Sequence, residues 1–457
     1  MLALLRLFPL GAKTNLMKNR PINPEDVLRS LEERLLLTGK PLVVNPHKSR
    51  GLTLYDAWHE KEFIDFCNDE GRRVLTYNRP EFAEPEFKER AASLAASSFP
   101  TEALYTTIFA EYARDFFELI FPERYPRVAF AVSHEEAVEF ALKAAFDWKA
   151  QKNGRRGISQ ERLIVVGIEE GYYGLSGYGL SLAASSGARR EAFYPRFDFP
   201  ALPNPKIVFS GGVPSESDTA ESELKAINRL KELLSENPEG IAAVVFEPIQ
   251  LKGGDNYFRP EFFRELRNMA DEYGFLLIAD ETSSGFFTVA HPLAMDRFEA
   301  DADIVVFGGK AALSGIAANE RLEEVVSVFV VPGRLESRLA PSMVELLAGL
   351  KTIELIETEE LAQNVKRIEN ILIERIKALL SLSARCSNSR AMGSLAAFDL
   401  PNIKEREALV KKLFENGLIV SASGEKTIGI RLPLDAAPKE IHMGFDLLES
   451  VFSAFQP

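Results

Sequence analysis

The chain has 457 residues, too many for one small core, so two packed lobes are expected. Hydrophobic residues make up 46% and charged residues 26%, ordinary proportions for a soluble globular enzyme, and a net charge of −13 argues against nucleic acid or an anionic membrane surface as partner. Only Cys67 and Cys386 are present, far apart, and the five histidines (His47, His59, His134, His291, His442) show no metal-ligand spacing. A reducing compartment, no disulfide framework, no metal and a cytoplasmic protein are therefore expected.

Residues 1–10 are apolar but are interrupted by Arg6 and Pro9 and are too short to span a bilayer, so they read as an N-terminal arm. A helical pattern follows through Leu28, Leu31, Leu35 and Leu36, and residues 51–56 with 63–67 read as a short hairpin. From about Pro80 to Val331, apolar runs at 128–132, 163–168, 241–246, 275–279 and 303–307 alternate with helical stretches such as 221–234 and 260–273. That alternation is the mark of βαβ units and a mainly parallel α/β sheet. After Pro341 come a long helix-rich stretch, a run at 395–399, a helix over 404–416, a run at 428–432 and a last helix from Pro438. These predict an arm and part of a small domain over 1–79, a large α/β domain over 80–335, and a smaller α+β domain over 336–457.

Three of the apolar runs end on charge. The run at 241–246 stops at Glu247-Pro-Ile-Gln, that at 275–279 at Asp280-Glu281, and that at 303–307 at Gly308-Gly309-Lys310. Continuous apolar strands are buried on both faces of a parallel sheet, and ligands bind beyond the carboxyl ends of such strands. Glu247, Asp280 and Lys310 are thus expected to meet in one crevice. A lone lysine and an acid in a dry pocket suit pyridoxal phosphate: the lysine holds the aldehyde as a Schiff base, and the acid keeps the pyridine nitrogen protonated. The two glycines let the backbone approach a ligand closely.

With 253–264 (Gly-Gly-Asp-Asn-Tyr-Phe-Arg-Pro-Glu-Phe-Phe-Arg), 271–281, 307–310, 137–149 and 176–182, these motifs resemble class III aminotransferases of fold type I, L-lysine 6-aminotransferases in particular, over about 49–454. The resemblance implies Lys310 as Schiff-base partner and general acid/base, Asp280 on the ring nitrogen and Tyr172 stacked on the cofactor ring. It implies a salt-bridge-switching role for Glu247, with Arg431 pairing with it or binding the 2-oxoglutarate carboxylate. It further implies a homodimer with active sites at the subunit interface.

Several matched positions differ. The glycine-rich phosphate cradle is replaced by Ser133-His134-Glu135-Glu136, where Glu135 is placed to repel a phosphate. Arg338 stands where a hydroxyl of the neighbouring subunit is expected to reach the phosphate; an arginine there could hold the phosphate, or neutralise Glu135 and close the pocket. Leu175, in Tyr172-Tyr173-Gly174-Leu175, replaces an arginine that grips the substrate carboxylate, and Ser283 replaces a glutamine that contacts the cofactor oxygen. Glu70-Gly71-Arg72-Arg73 adds charge where a pocket wall is uncharged, and Arg72 or Arg73 could restore an anion grip or form a solvated pair. The sequence therefore supports an aminotransferase acting on a small-molecule amino donor and a 2-oxo acid. The alternative is an impaired pseudoenzyme of the same fold that serves a protein partner.

Overall fold

The computed structural model describes residues 21–97, 104–121, 123–158, 163–182, 194–310, 312–337, 342–383 and 385–455. The N-terminal arm expected over 1–10 and the phosphate contact expected at Arg338 lie outside them. The organising element is a seven-stranded sheet of β1 (Arg127–Ala131), β2 (Ile164–Ile168), β3 (Ala201–Leu202), β4 (Ile241–Phe246), β5 (Leu276–Asp280), β6 (Ile304–Phe307) and β7 (Ser314–Ala318). Their spatial order is β1-β7-β6-β5-β4-β2-β3. The neighbours from β6 through to β3 run parallel, whereas β7 is antiparallel to both β6 and β1. The expected mainly parallel α/β sheet is therefore present.

Every residue of β4, β5 and β6 is buried, which explains why these strands read as unbroken apolar runs. Alternate side chains serve opposite faces. Val245, Ile278, Ile304 and Val306 pack with Ala141, Leu142 and Trp148 of helix α1 (His134–Arg155). Phe246, Leu277, Val305 and Phe307 point the other way, into a core shared with Phe116, Phe262 and Leu346. The helix Met343–Thr358, although it follows position 335, contributes Met343, Leu346 and Leu347 to that same core.

A second, four-stranded antiparallel sheet runs Ser387–Met392, Leu395–Asp399, Thr427–Arg431, Ser421–Ser423. Its core holds Phe398, Ile428, Ile430 and Phe445 of the helix Pro438–Ser453, together with Phe66 from the amino-terminal part of the chain. The expected hairpin is Thr53–Asp56 paired with Lys61–Asp65, whose second strand also pairs with Leu418–Ile419. Amino-terminal and carboxy-terminal parts of the described chain are thus built into one smaller unit.

The turn between Met392 and Leu395 presses this unit against the larger one. Gly393 has φ +58°, and a Cβ there would lie 2.1 Å from the carbonyl oxygen of Thr288, which also accepts a hydrogen bond from Ser394 N at 2.8 Å. Both the backbone conformation and the close approach require glycine. Gly393→Ala is expected to cost roughly 2–4 kcal/mol through overlap and an unfavourable φ. Chemical denaturation of the variant beside the native chain would show it, and an unchanged unfolding midpoint would contradict the tight approach.

Candidate active site

The parallel order of β2, β4, β5 and β6 brings their carboxyl ends side by side. Tyr172 follows β2, Glu247 follows β4, Asp280 ends β5, and Lys310 follows β6 after two glycines. The expected crevice is therefore formed, with Lys310, Asp280 and Glu247 all buried.

The amine of Lys310 is held at the mouth of the loop after β5. Its Nζ donates to the carbonyl oxygens of Ser283, at 2.5 Å, and Gly285, at 3.2 Å, and to Oγ1 of Thr288. Burial pushes its pKa down to about 7; the buried Glu281 opposes this and Arg431 reinforces it. Ser283 thus reaches Lys310 through its backbone. The carboxyl of Glu281 is itself pushed up to about 7 by burial, and it accepts from Ser284 Oγ at 2.7 Å and Met295 N at 2.8 Å.

Asp280 has a partner that the sequence did not indicate. Its Oδ2 lies 2.6 Å from Nε2 of His134, and its Oδ1 accepts from Thr282 N at 3.1 Å. Burial would raise the Asp280 pKa, but the imidazole overrides this and holds it below the usual range. In return, burial lowers the basicity of His134 and Asp280 more than restores it, so the imidazole pKa is raised above 6.5. The ring of His134 lies near-parallel to Tyr172, 22° apart with centroids 6.3 Å distant. The side chain of His134, expected in a phosphate cradle, thus reaches from the start of α1 to Asp280. Tyr172 carries the ammonium of Lys252 over its ring, 3.3 Å from the centroid.

Glu247 and Arg431 do not meet. Glu247 Oε2 accepts from Tyr172 N at 2.8 Å, and burial together with the nearby Asp280 pushes its pKa up to about 8. Arg431, 1% exposed, pairs instead with Glu70 and with Asp255, whose Oδ2 lies 3.4 Å from Nη2. It also donates to Ser423 Oγ at 2.8 Å. Glu70 reaches it from a left-handed turn in which Asn68, Asp69 and Glu70 have φ of +51°, +52° and +56° before Gly71 at +81°. Each such non-glycine residue costs roughly 1–2 kcal/mol. Asp65 Oδ1, accepting from Cys67 N and Asn68 N at 2.9 and 3.0 Å, and the Asn68 amide donating to Arg73 O at 2.8 Å hold the turn. Of the expected anion grips, Arg72 pairs with Asp69 at 3.1 Å and Arg73 lies over the Tyr77 ring at 3.3 Å. Leu175 is exposed.

At the start of α1, Ser133 caps the helix by accepting from Glu136 N at 3.2 Å. The Glu136 carboxylate accepts from Val132 N at 2.7 Å and Ser337 Oγ at 2.5 Å. A pyridoxal phosphate needs a buried acid for its ring nitrogen, an amine for its aldehyde and donors for its phosphate. Asp280 and a Lys310 with a pKa near neutrality fit the ring and aldehyde ends, while the phosphate end carries a carboxylate in place of glycines.

Residues 38–452 match the family described as aminotransferase class-III, and the chain belongs to that family of pyridoxal-phosphate-dependent transaminases. Among named relatives it is 30% identical over 433 residues to the L-lysine-epsilon aminotransferase of Mycobacterium tuberculosis, covering 94% of this chain and 96% of the relative. It is 28% identical to the L-lysine-epsilon aminotransferase of Streptomyces clavuligerus, covering 95% of each. The solved lysine aminotransferase from M. tuberculosis in its internal aldimine form superposes with a TM-score of 0.90 at 30% identity, over 94% of this chain and 99% of that one.

The raised pKa of Glu247 gives a pH signature. The folded chain keeps a proton that the unfolded chain releases between its ordinary value of 4.5 and about 8, so this group's contribution to stability falls as pH rises through that window. Glu247→Gln removes the fall. Between pH 5 and pH 8 the variant is expected to gain roughly 1–3 kcal/mol relative to the native chain in urea unfolding. Parallel pH curves would contradict a protonated Glu247.

Proposed function

We propose that the chain transfers an amino group from a primary-amine donor to a 2-oxo acid such as 2-oxoglutarate, in the manner of the L-lysine 6-aminotransferases, with pyridoxal phosphate as cofactor. The observation that carries this reading is that a buried lysine amine tuned to about 7 follows the strand next to the one that ends on a buried aspartate. Bound there, pyridoxal phosphate supplies an electron sink that makes the donor's carbon–hydrogen bond acidic.

The chain's own residues divide the remaining work. Lys310, partly unprotonated near neutrality, accepts and returns a proton at Nζ. Asp280, ionised and buried, would keep a ring nitrogen protonated, and Tyr172 would flank the ring as it now flanks His134. Ser133 sets the helix start that would hold the phosphate. Glu247 fixes the backbone of Tyr172 through its amide. Arg431 is the carboxylate receptor, and Glu70 is the group that must leave it when a 2-oxo acid enters. With Leu175 in place of an arginine, the donor is recognised without a guanidinium at that position. The active assembly is a homodimer, as the resemblance implies, in a cytoplasmic protein, with residues 80–335 and the helix Met343–Thr358 forming the large lobe and 1–79 with the rest of 336–457 the smaller one.

A second reading is favoured by one observation: the acid-bearing start of α1, with Glu135 and Glu136 where a phosphate is held. On that reading the chain is a catalytically impaired member of the family that serves a protein partner. Borohydride reduction of the cofactor-loaded protein followed by peptide mapping separates the two. Label on Lys310, abolished in Lys310→Ala, is expected; label scattered over surface lysines, or none, would establish the second reading. Glu70→Gln is expected to lower the KM for 2-oxoglutarate about 3–10-fold by freeing Arg431. An unchanged KM would remove Glu70 from the acceptor site.

A further inference from the structure

We propose that His134 is a resident occupant of the cofactor's ring slot, so that pyridoxal phosphate loads by displacing its imidazole from Asp280. The inference rests on the cofactor assignment made above but concerns a different residue and step.

A protonated imidazole and a protonated pyridine are alike in what Asp280 senses. Each is a flat aromatic cation that turns an N–H toward the carboxylate. His134 already meets that description: Nε2 lies 2.6 Å from Oδ2 of Asp280, the side chain is largely buried, and its ring is near-parallel to Tyr172. Asp280 cannot be left alone, because an unpaired buried carboxylate is strongly unfavourable. A neighbouring cation relieves that cost without protonation of the carboxyl, and His134 is close enough to be that cation. The other titratable groups that face the imidazole are Glu135 on its own helix and Glu247 at the end of β4, each of which favours the cation when ionised.

The attachment of His134 sharpens the competition. It is the first residue of α1, next to the cap Ser133, and two residues before Glu136, whose carboxylate takes Val132 N–H and the Ser337 hydroxyl. One helical turn thus places an aromatic cation at the ring-nitrogen position and a carboxylate at the helix start. A ligand with a protonated ring nitrogen and a phosphate must compete with both. The ring exchange breaks one charge-assisted hydrogen bond at Asp280 and forms another, so affinity depends on how readily His134 leaves.

The test is equilibrium binding of pyridoxal phosphate to the native chain, to His134→Gln and to Asp280→Asn, read as absorbance of the bound cofactor after dialysis. Glutamine keeps a neutral donor of similar reach; should it fail to fold by far-UV circular dichroism, His134→Asn takes its place. The expected result is a Kd at least 10-fold lower for His134→Gln than for the native chain, with Asp280→Asn weakened. Equal affinity of native and His134→Gln proteins would overturn the displacement while leaving the cofactor assignment standing. Weaker binding by His134→Gln would overturn it and make His134 a cofactor ligand. No binding by any form at millimolar cofactor would overturn both.

Discussion

A carboxylate buried at the end of a central strand dictates the electrostatics of this site. Asp280 terminates β5 in the middle of a seven-stranded sheet, beyond the reach of solvent, and such a charge persists only with a cation and hydrogen-bond donors around it. His134 and Thr282 N provide them. The consequences spread outward. The cation over Asp280 lies beside Tyr172, burial and then Asp280 push the neighbouring Glu247 toward its protonated form, and Glu247 in turn fixes the Tyr172 amide.

The same economy of charge explains the opposite side of the pocket. Arg431 is nearly inaccessible and could not stand alone, so Glu70 and Asp255 neutralise it from two directions. Glu70 arrives only because three consecutive residues accept left-handed backbone angles, a strain held by Asp65 and the Asn68 side chain. The two charged residues expected to grip cofactor or substrate, Asp280 and Arg431, are thus each engaged by a side chain of the same chain. Lys310 follows this pattern in another way, its amine held by two backbone carbonyls and a threonine hydroxyl.

The large sheet was legible because burial on both faces removes the usual alternation. The runs at 241–246, 275–279 and 303–307 could only be interior strands, and their order and polarity then bring Glu247, Asp280 and Lys310 together. The departures at Glu135, Leu175 and Ser283 were also readable, as changes of residue type. The partners were not. His134 lies 146 positions from Asp280, and nothing in its local pattern says which way its ring turns. Glu70 was visible only as added charge. Its contact with Arg431 spans 361 positions. The cradle of Lys310 uses backbone carbonyls, which carry no residue signature, and Lys252 on Tyr172 gave none either.

The claim that Asp280 is held by an imidazolium is tested most directly by titrating His134 in the cofactor-free protein by nuclear magnetic resonance. Its signal is assigned by its loss in His134→Gln. The account predicts a pKa above 6.5 that falls when Asp280 becomes asparagine. A value at or below 6.5, indifferent to that substitution, would contradict it.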